Sequence, residues 1–157
     1  NDMKNYDIRL RDVPEMKVYT ERKVLTDIHR DLPQLLRRLL EELDAKGGVC
    51  AGAPIMLFYD NFSDGSFDPN KVDVEVGWPV SDAALANNTL PAVRTASLTY
   101  VGPYDGLENA YAAVFTWLNQ NGYQAGFPTR EVSMNDPAVT QPEQLVTDIL
   151  IPLAQSK

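Results

Sequence analysis

The sequence predicts an α+β domain made of two similar halves, each with the order strand, helix, strand, strand. The halves repeat with an offset of roughly 73 to 77 positions, and their last strands end alike, in EVGWP at residues 75–79 and DILIP at residues 148–152. Strands joined by short loops indicate an antiparallel sheet with the helices on one face. A long repeat that occurs only twice favours two pseudo-symmetric half-domains with a cleft between them, in which we expect one acid from each half.

The first half covers about residues 6–80 and begins with two strands. Residues 6–10 and 18–25 have strand-like composition with partial alternation, and a Val-Pro-Glu turn at residues 13–15 separates them. We therefore expect both strands to precede the first helix.

The first helix is predicted from a run of leucines with the i, i+3, i+4 spacing of one helical face. Asp31 is expected to cap its N-terminus, and Pro33 falls in the first turn, where its missing N–H is harmless. Gly47 is expected to end the helix in a left-handed conformation. The apolar face consists of Leu32, Leu35, Leu36, Leu39, Leu40 and Leu43.

Two further strands complete the first half. Residues 55–59 follow an Ala-Gly-Ala-Pro turn, and residues 72–78 alternate between apolar and polar side chains. Valines and Trp78 share one face of this second strand, whereas Asp73 and Glu75 share the other.

The second half covers about residues 91–153 and follows a linker at about residues 81–90. A strand at residues 92–101 leads to the second helix, for which Asp105 and Glu108 fit a capping box. The two halves are expected to form a single domain over residues 1–157.

A helix and two strands complete the repeat. The helix is expected to end near Asn121, with Gly122 as its terminator. Residues 128–134 and 145–152 are predicted strands, and a turn-rich loop at residues 135–142 joins them. The core face of the helix consists of Leu107, Tyr111, Val114, Phe115 and Leu118.

Composition and charge exclude several classes of protein. The formal net charge is −8 and the sequence pI is about 4.5, which works against direct nucleic-acid binding. A negative field either favours cationic ligands or keeps the protein soluble. No run approaches the roughly 20 apolar residues of a membrane span, and the N-terminus lacks the apolar core of a signal peptide. We therefore expect a cytoplasmic protein without a membrane segment.

Cys50 and His29 are the only residues of their types. A lone cysteine excludes an internal disulfide and agrees with a reducing compartment. Neither residue belongs to a recognised metal-ligand or catalytic spacing, so we expect no metal and no cofactor.

Asp148 and Glu75 are the acids that the repeat places at matching positions. Asp148 has Val146 and Leu150 as neighbours on its strand face, which is unfavourable for a charge unless it faces a cavity or has a partner. A carboxylate in an apolar cleft acts as the counter-ion of a cation or as a general acid with a raised pKa. Glu75 lies beside Asp73 and is equally compatible with a solvated acid on the open side of the sheet.

Aromatic residues lie close to the ends of the same strands and suit flat, cationic or aromatic ligands. Trp78 and Tyr104 adjoin prolines where elements end, and we predict that they line the cleft. Phe58 and Tyr59 are further candidates. Tyr111 lies on the helix face that must pack on the sheet, so both core packing and ligand contact are compatible with its position.

Several short motifs follow one another in a specific order along the chain. They are VEVGWPV at residues 74–80, GPYDGL at 102–107, Trp117-Leu118 with Gly122, GFP at 126–128, REV at 130–132, NDP at 135–137 and TDILIP at 147–152. Their order and spacing resemble the GyrI-like small-molecule-binding family, which is also the effector-binding domain of AraC-type and MerR-type multidrug-sensing regulators. The resemblance covers nearly the whole chain and implies one curved antiparallel sheet with a central ligand cleft.

The resemblance also implies site residues. An acid in the final strand, at the position of Asp148, is implied to recognise cationic drugs, although family members usually have Glu there. Glu131 matches a family Glu that is often followed two residues later by Tyr, where this chain has Ser133. We therefore expect Glu131 to contribute to the ligand site.

Three functions are compatible with this resemblance. The first is the ligand-sensing part of a bacterial transcription regulator, which binds a lipophilic, cationic or aromatic effector and contacts DNA only through a further N-terminal domain. The start at Asn1 rather than at Met is compatible with such a domain. The second is a stand-alone protein that sequesters toxins or binds a protein partner. The third is a hydrolase of small reactive electrophiles, in which Glu131 or Asp148 would activate water. Binding is favoured over catalysis.

Overall fold

The computed structural model describes residues 6–62 and 64–154, in which two α-helices accompany one antiparallel sheet of eight strands. The elements in chain order are β1 (Arg9–Val13), β2 (Met16–Leu25), α1 (Ile28–Ala45), β3 (Ile55–Phe58), β4 (Val72–Pro79), β5 (Asn88–Leu90), β6 (Val93–Val101), α2 (Leu107–Gln120), β7 (Thr129–Ser133) and β8 (Val146–Pro152). The predicted α+β class is confirmed.

The sheet has the strand order β1-β6-β8-β7-β3-β4-β2-β5 and curls into a half-barrel. β2, α1, β3 and β4 form the first strand-helix-strand-strand unit, and β6, α2, β7 and β8 form the second. β3 and β7 are neighbours at the centre, and the strand order on either side of this pair is equivalent. The two units are therefore related by a pseudo-two-fold axis between β3 and β7.

Two short strands extend the edges of the sheet. β1 precedes the first unit in sequence but pairs with β6 of the second, and β5 pairs with β2 of the first. β5 lies within the segment 81–90, for which the sequence predicts only a linker. Its three residues form a strand because they pair with β2, a contact between distant segments that local sequence patterns do not reveal.

Helix α1 begins earlier than the leucine pattern suggests. Asp27, not Asp31, is the N-cap, and its side chain accepts a hydrogen bond from the Arg30 backbone N–H at 3.3 Å. Asp31 instead lies in the first turn and pairs with the Arg30 side chain at 2.8 Å. Pro33 consequently lies inside the helix. Gly47 follows the helix with a φ of 77°, as predicted.

Helix α2 begins at Leu107 without a side-chain cap, so the predicted capping box of Asp105 and Glu108 is wrong. A single 3-10 turn over Tyr104–Gly106 leads into the helix instead. The Tyr100 hydroxyl lies against this turn, where a Cβ atom added to Gly106 would approach the hydroxyl oxygen to 2.0 Å. The start of α2 is thus positioned by the close packing of Tyr100 on Gly106 and not by a side-chain cap.

Each helix covers one half of the sheet, and two apolar clusters result. In the first, buried leucines of α1 pack on the valines of β4. In the second, α2 packs on β6 and β8. Phe62, from the loop between β3 and β4, packs against both clusters. A smaller cluster on the opposite side of the sheet contains Val18, Ile55, Leu57 and Leu90.

Gly77 is a point at which the sheet has no room for a side chain. It pairs with Thr20 of β2, and an added Cβ atom would lie 2.1 Å from the Tyr19 carbonyl oxygen and 2.7 Å from the Thr20 Cα atom. We expect Gly77→Ala to lower the free energy of unfolding by about 2–3 kcal/mol, because backbone must move to admit the methyl group. Urea denaturation of the two proteins measures this difference.

Gly52→Ala is the matched control for Gly77→Ala. A Cβ atom at Gly52 would meet only the Pro79 Cγ atom, at an ordinary 3.5 Å. Its free energy of unfolding should stay within about 0.5 kcal/mol of the wild-type value. Equal effects of the two substitutions would show that backbone crowding at Gly77 is not what limits β2–β4 packing.

Candidate functional site

The register of the central strands assigns their side chains to two faces. Glu131 of β7 is paired with Met56 of β3 on one side and with Ile149 of β8 on the other. Met56 and Ile149 belong to the clusters under α1 and α2, so Glu131 also points toward the helices. We call this side of the sheet the helix face, and the other side the opposite face.

Glu131 is a buried acid on the helix face. It is 9% exposed, and the Tyr111 hydroxyl of α2 donates a hydrogen bond of 2.5 Å to its carboxylate. None of the ion pairs within residues 6–62 and 64–154 involves Glu131. Burial raises the pKa of Glu131 to about 7, and the hydrogen bond from Tyr111 only partly opposes this rise.

Aromatic rings pack around Tyr111, the hydrogen-bond partner of Glu131. The Phe62 ring lies 5.2 Å from the Tyr111 ring and 5.6 Å from the Phe58 ring, measured between centroids. Phe115 stacks on Tyr111 at 6.3 Å. Tyr104 lies in the turn before α2 and is 38% exposed; partial burial raises its pKa, and the charge of Glu131 adds to this rise. We call Glu131, Tyr111, Tyr104, Phe58 and Phe62 the Glu131 site.

Glu75 lies on the opposite face, where it joins several elements. Its carboxylate accepts hydrogen bonds from the Thr20 hydroxyl at 2.6 Å, the Tyr59 hydroxyl at 2.9 Å and the Asn88 amide at 2.7 Å. Burial, followed by the bond to Glu75, raises the pKa of Tyr59 to about 12. With 6% exposure, Glu75 is neither a solvated acid nor part of the Glu131 site, and its contacts tie β2, β4 and β5 together.

Asp148 also lies on the opposite face and has polar partners. The Thr99 hydroxyl donates a hydrogen bond to its carboxylate at 2.7 Å, and Arg11 of β1 forms an ion pair with it at 3.5 Å. The side chain is 14% exposed. The apolar cleft expected for Asp148 is therefore not observed, since β1 and β6 supply polar groups that its own strand neighbours lack.

The structure does not bring the two repeated acids into one cleft. β4 and β8, which carry Glu75 and Asp148, are separated by β3 and β7. At the usual strand spacing, three steps across a sheet correspond to about 14 Å. A pair of acids sharing catalytic work would have to lie much closer.

The predicted aromatic residues divide between several places. Phe58 and Tyr111 contact Phe62 in the Glu131 site. Trp78 instead packs into the first cluster, where its indole N–H donates to the Leu36 carbonyl at 2.9 Å. Tyr59 lies on the opposite face beneath the Arg22 guanidinium, 3.5 Å from its ring centroid.

Phe62 is the residue of this site that the sequence reasoning missed. It lies in a loop dominated by Asp, Asn, Ser, Gly and Pro, which indicates a surface connection. Two phenylalanines, Phe62 and Phe67, interrupt that polar composition, and they contact each other at 4.9 Å. Large apolar side chains within an otherwise polar loop were the available signal.

Other chemistry finds little support in the described part of the chain. No group of three or more His, Cys, Asp or Glu side chains there is arranged to hold a metal ion. Burial raises the pKa of the Cys50 thiol, which is the reverse of what an activated thiolate requires. Neither helix is long and apolar enough to span a membrane.

Comparison with known proteins assigns the fold to a family. Residues 6–154 match the family model described as the GyrI-like small molecule binding domain. The C-terminal domain of EcmrR superposes with a TM-score of 0.82 at 24% identity, covering 96% of this chain and 99% of that one. No curated protein matches the sequence.

Two further solved structures share the fold. EcmrR in its DNA complex superposes with a TM-score of 0.84 at 24% identity, and the alignment covers 96% of this chain but 58% of the EcmrR chain. This chain therefore spans little more than half of that protein. SAV2435 bound to tetraphenylphosphonium superposes with a TM-score of 0.63 at 12% identity, covering 94% of each chain.

The raised pKa of Glu131 has a consequence for stability. In the unfolded chain its pKa is near 4.5, so the unfolded state releases this proton at lower pH than the folded state does. Stability relative to Glu131→Gln should therefore be greatest below about pH 4.5 and decline by about 3 kcal/mol as the pH rises to about 7. Urea denaturation of both proteins across this range measures the difference.

Asp148→Asn serves as the control for this pH dependence, because it removes a partly exposed acid from the opposite face. The wild-type protein and Asp148→Asn should show the same decline relative to Glu131→Gln between about pH 5 and about pH 7. A constant difference between wild type and Glu131→Gln would mean that Glu131 ionises normally in the folded protein.

Proposed function

The chain belongs to the GyrI-like family of small-molecule-binding domains, and we propose that it binds lipophilic organic cations with Glu131 as their counter-ion. One observation carries this proposal: Glu131 is a buried carboxyl group on the helix face that has no ion-pair partner among the described residues and is bonded to Tyr111, whose ring packs on Phe62. Metal ions and phosphorylated ligands suit this environment poorly, because it offers one acid and several apolar surfaces.

The chemistry of Glu131 favours a cation that is also apolar. Burying a carboxylate is costly, and the protein meets that cost by raising the pKa of Glu131 to about 7. An incoming cation supplies the missing positive charge and favours the ionised form. The rings of Phe58 and Tyr111 provide faces for aromatic groups and for cation–π contacts. The net charge of −8 attracts cations over longer distances.

Two comparisons support different parts of this proposal. SAV2435 has the same fold and was solved with tetraphenylphosphonium, a large organic cation with four aromatic rings. EcmrR carries the same fold within a protein that binds DNA. We therefore propose that this domain is the ligand-sensing part of a transcription regulator, with small-molecule binding as its own contribution.

Tetraphenylphosphonium is the probe that tests the counter-ion role of Glu131. Isothermal titration should show binding to the wild-type protein, and Glu131→Gln should weaken it by about tenfold or more, since the neutral amide keeps the shape but loses the charge. Asp148→Asn should bind like wild type, because Asp148 is on the opposite face. Loss of affinity in Asp148→Asn but not in Glu131→Gln would instead restore Asp148 as the recognition residue.

The same titration has a predicted pH dependence. A permanent cation prefers the ionised carboxylate, so affinity should rise as the pH increases through about 7 and level off above it. Below about pH 7, each further decrease of one pH unit should lower the affinity about tenfold, because a smaller fraction of Glu131 is ionised. Glu131→Gln should lack this trend, and an identical trend in both proteins would assign it to another group.

The regulator role predicts what surrounds this domain in its gene. Continuous coding sequence upstream of Asn1 should specify a helix-turn-helix segment with a basic recognition helix. Sequencing the full reading frame tests this directly. A frame that encodes this domain alone would contradict the regulator role and leave the cation-binding role to be decided by titration.

A further inference from the structure

We propose that Phe62 is a built-in occupant of the Glu131 site: its ring holds the position that an aromatic ring of the ligand takes, and the side chain at this position sets ligand affinity and size. This inference rests on the proposed cation-binding function. It assigns a specificity-determining role to a residue of the β3–β4 loop, which belongs to no helix or strand.

The position of Phe62 is unusual because it connects the two halves of the core. The clusters under α1 and α2 are built from different units, and Phe62 packs against both. Its ring contacts Phe58 at 5.6 Å on the first unit and Tyr111 at 5.2 Å on the second. Phe62 therefore fills the space between the units. It lies directly beside the Tyr111 ring, whose hydroxyl donates the hydrogen bond to Glu131.

Protein side chains cover Glu131 and Tyr111 in this structure, whereas Tyr104 is 38% exposed. Glu131 is 9% exposed and Tyr111 is 8% exposed. Two surface concavities, of about 470 and 420 Å³, lie elsewhere, and their lining includes neither Glu131 nor Tyr111. Because so little of the Glu131 carboxyl is exposed, a bulky ligand contacts it fully only when a side chain moves, and the choice of side chain decides the cost.

Phe62 is the side chain whose displacement disturbs the fold least. Met56, Tyr111 and Ile149 belong to the sheet or to α2, whose backbone hydrogen bonds fix their Cβ positions, so these side chains can move only by changing rotamer. Phe62 belongs to an irregular connection between β3 and β4 and can leave without breaking a strand pair. Exposing a phenylalanine side chain costs about 1.5–3 kcal/mol, which a ligand ring in the same place recovers.

The loop has its own anchor close to the sheet. The Asp60 side chain accepts a hydrogen bond from the Asp73 backbone N–H at 2.8 Å, at the start of β4. Asp64 accepts hydrogen bonds from the backbone N–H and hydroxyl of Ser66, and Gly65 has a φ of 77°. These hydrogen bonds do not involve the Phe62 side chain, whose ring contact within the described part of the loop is to Phe67 at 4.9 Å. The polar contacts of the loop can therefore persist when the Phe62 ring moves.

Occupancy by Phe62 predicts a competition between the ring and the ligand. The apparent affinity equals the intrinsic affinity multiplied by the fraction of molecules in which the site is open. A smaller side chain at position 62 leaves the site open more often, so it should raise the apparent affinity. Phe62→Ala should bind tetraphenylphosphonium about tenfold more tightly than wild type, and Phe62→Leu should show a smaller gain in the same direction. Phe62→Trp should weaken binding, because a larger ring is harder to displace.

Phe115→Ala is the matched control for the titration. Phe115 also packs on Tyr111, at 6.3 Å, but it belongs to α2 and contacts only the second cluster. Its removal takes away a similar ring without opening the space between the units, so it should not tighten binding. Circular dichroism and thermal melting establish that each variant is folded, and Phe62→Leu decides the question if Phe62→Ala does not fold.

The outcomes separate the two proposals. Wild-type binding that requires Glu131, together with unchanged or weaker binding in Phe62→Ala or Phe62→Leu, overturns the role of Phe62 and leaves cation binding intact. Equal tightening in Phe62→Ala and Phe115→Ala also overturns it, since general loosening would then be the cause. If neither wild type nor Phe62→Ala binds the cation through Glu131, the proposed function fails and this inference fails with it.

Discussion

The antiparallel pairing of β3 with β7 is the constraint on which the rest of the molecule depends. It joins the two units, and its register sets Met56 opposite Glu131 and Leu57 opposite Arg130. Because side chains alternate along a strand, this register alone decides that the glutamate faces the helices and the arginine faces away. A slip of one residue would exchange them and place a cation where the structure has an acid. The sign of charge in the site is thus a property of strand pairing.

Apolar neighbours hold this register, because neither charged group stabilises it. Arg130 is 3% exposed on the opposite face, where its Nη2 donates to the Pro91 carbonyl at 3.0 Å. Its Nη1 is the one buried side-chain nitrogen or oxygen within residues 6–62 and 64–154 that has no hydrogen-bond partner. Burial of Arg130 and Glu131 is unfavourable for each. Leu57 and Ile149, both almost fully buried beside them, supply the compensating free energy.

The sequence predicted the elements better than their mutual arrangement, and the reason is physical. Leucine spacing and strand alternation depend on neighbouring residues, so the order of elements and the glycine ends of both helices could be predicted. The polar surroundings of Asp148 could not be predicted in this way, because its partners Thr99 and Arg11 belong to strands far away in sequence. Alternation showed which residues share a face with Asp148, but not which strands lie beside it.

Signals for individual site residues were also uneven. Glu131 came from the family resemblance, and no pattern of neighbouring residues marked it as buried. Phe62 had a local signal, an aromatic ring in a polar loop, but its contacts with both units depend on the complete fold. Asp27 rather than Asp31 caps α1 because the helix gains a turn before its first leucine, in which Ile28, four residues before Leu32, extends the apolar face.

The repeat also explains why the site holds a single charge. Met56 pairs with Val76 in the first unit as Glu131 pairs with Ile149 in the second, so Met56 and Glu131 occupy equivalent places and meet across the pseudo-two-fold axis. An acid at both places would set two carboxylates opposite each other, and their repulsion would keep one protonated. Methionine in the first unit avoids that conflict and adds an adaptable apolar surface beside the acid. The acids that do repeat, Glu75 and Asp148, lie on the opposite face with polar partners, so a duplicated fold carries one asymmetric site.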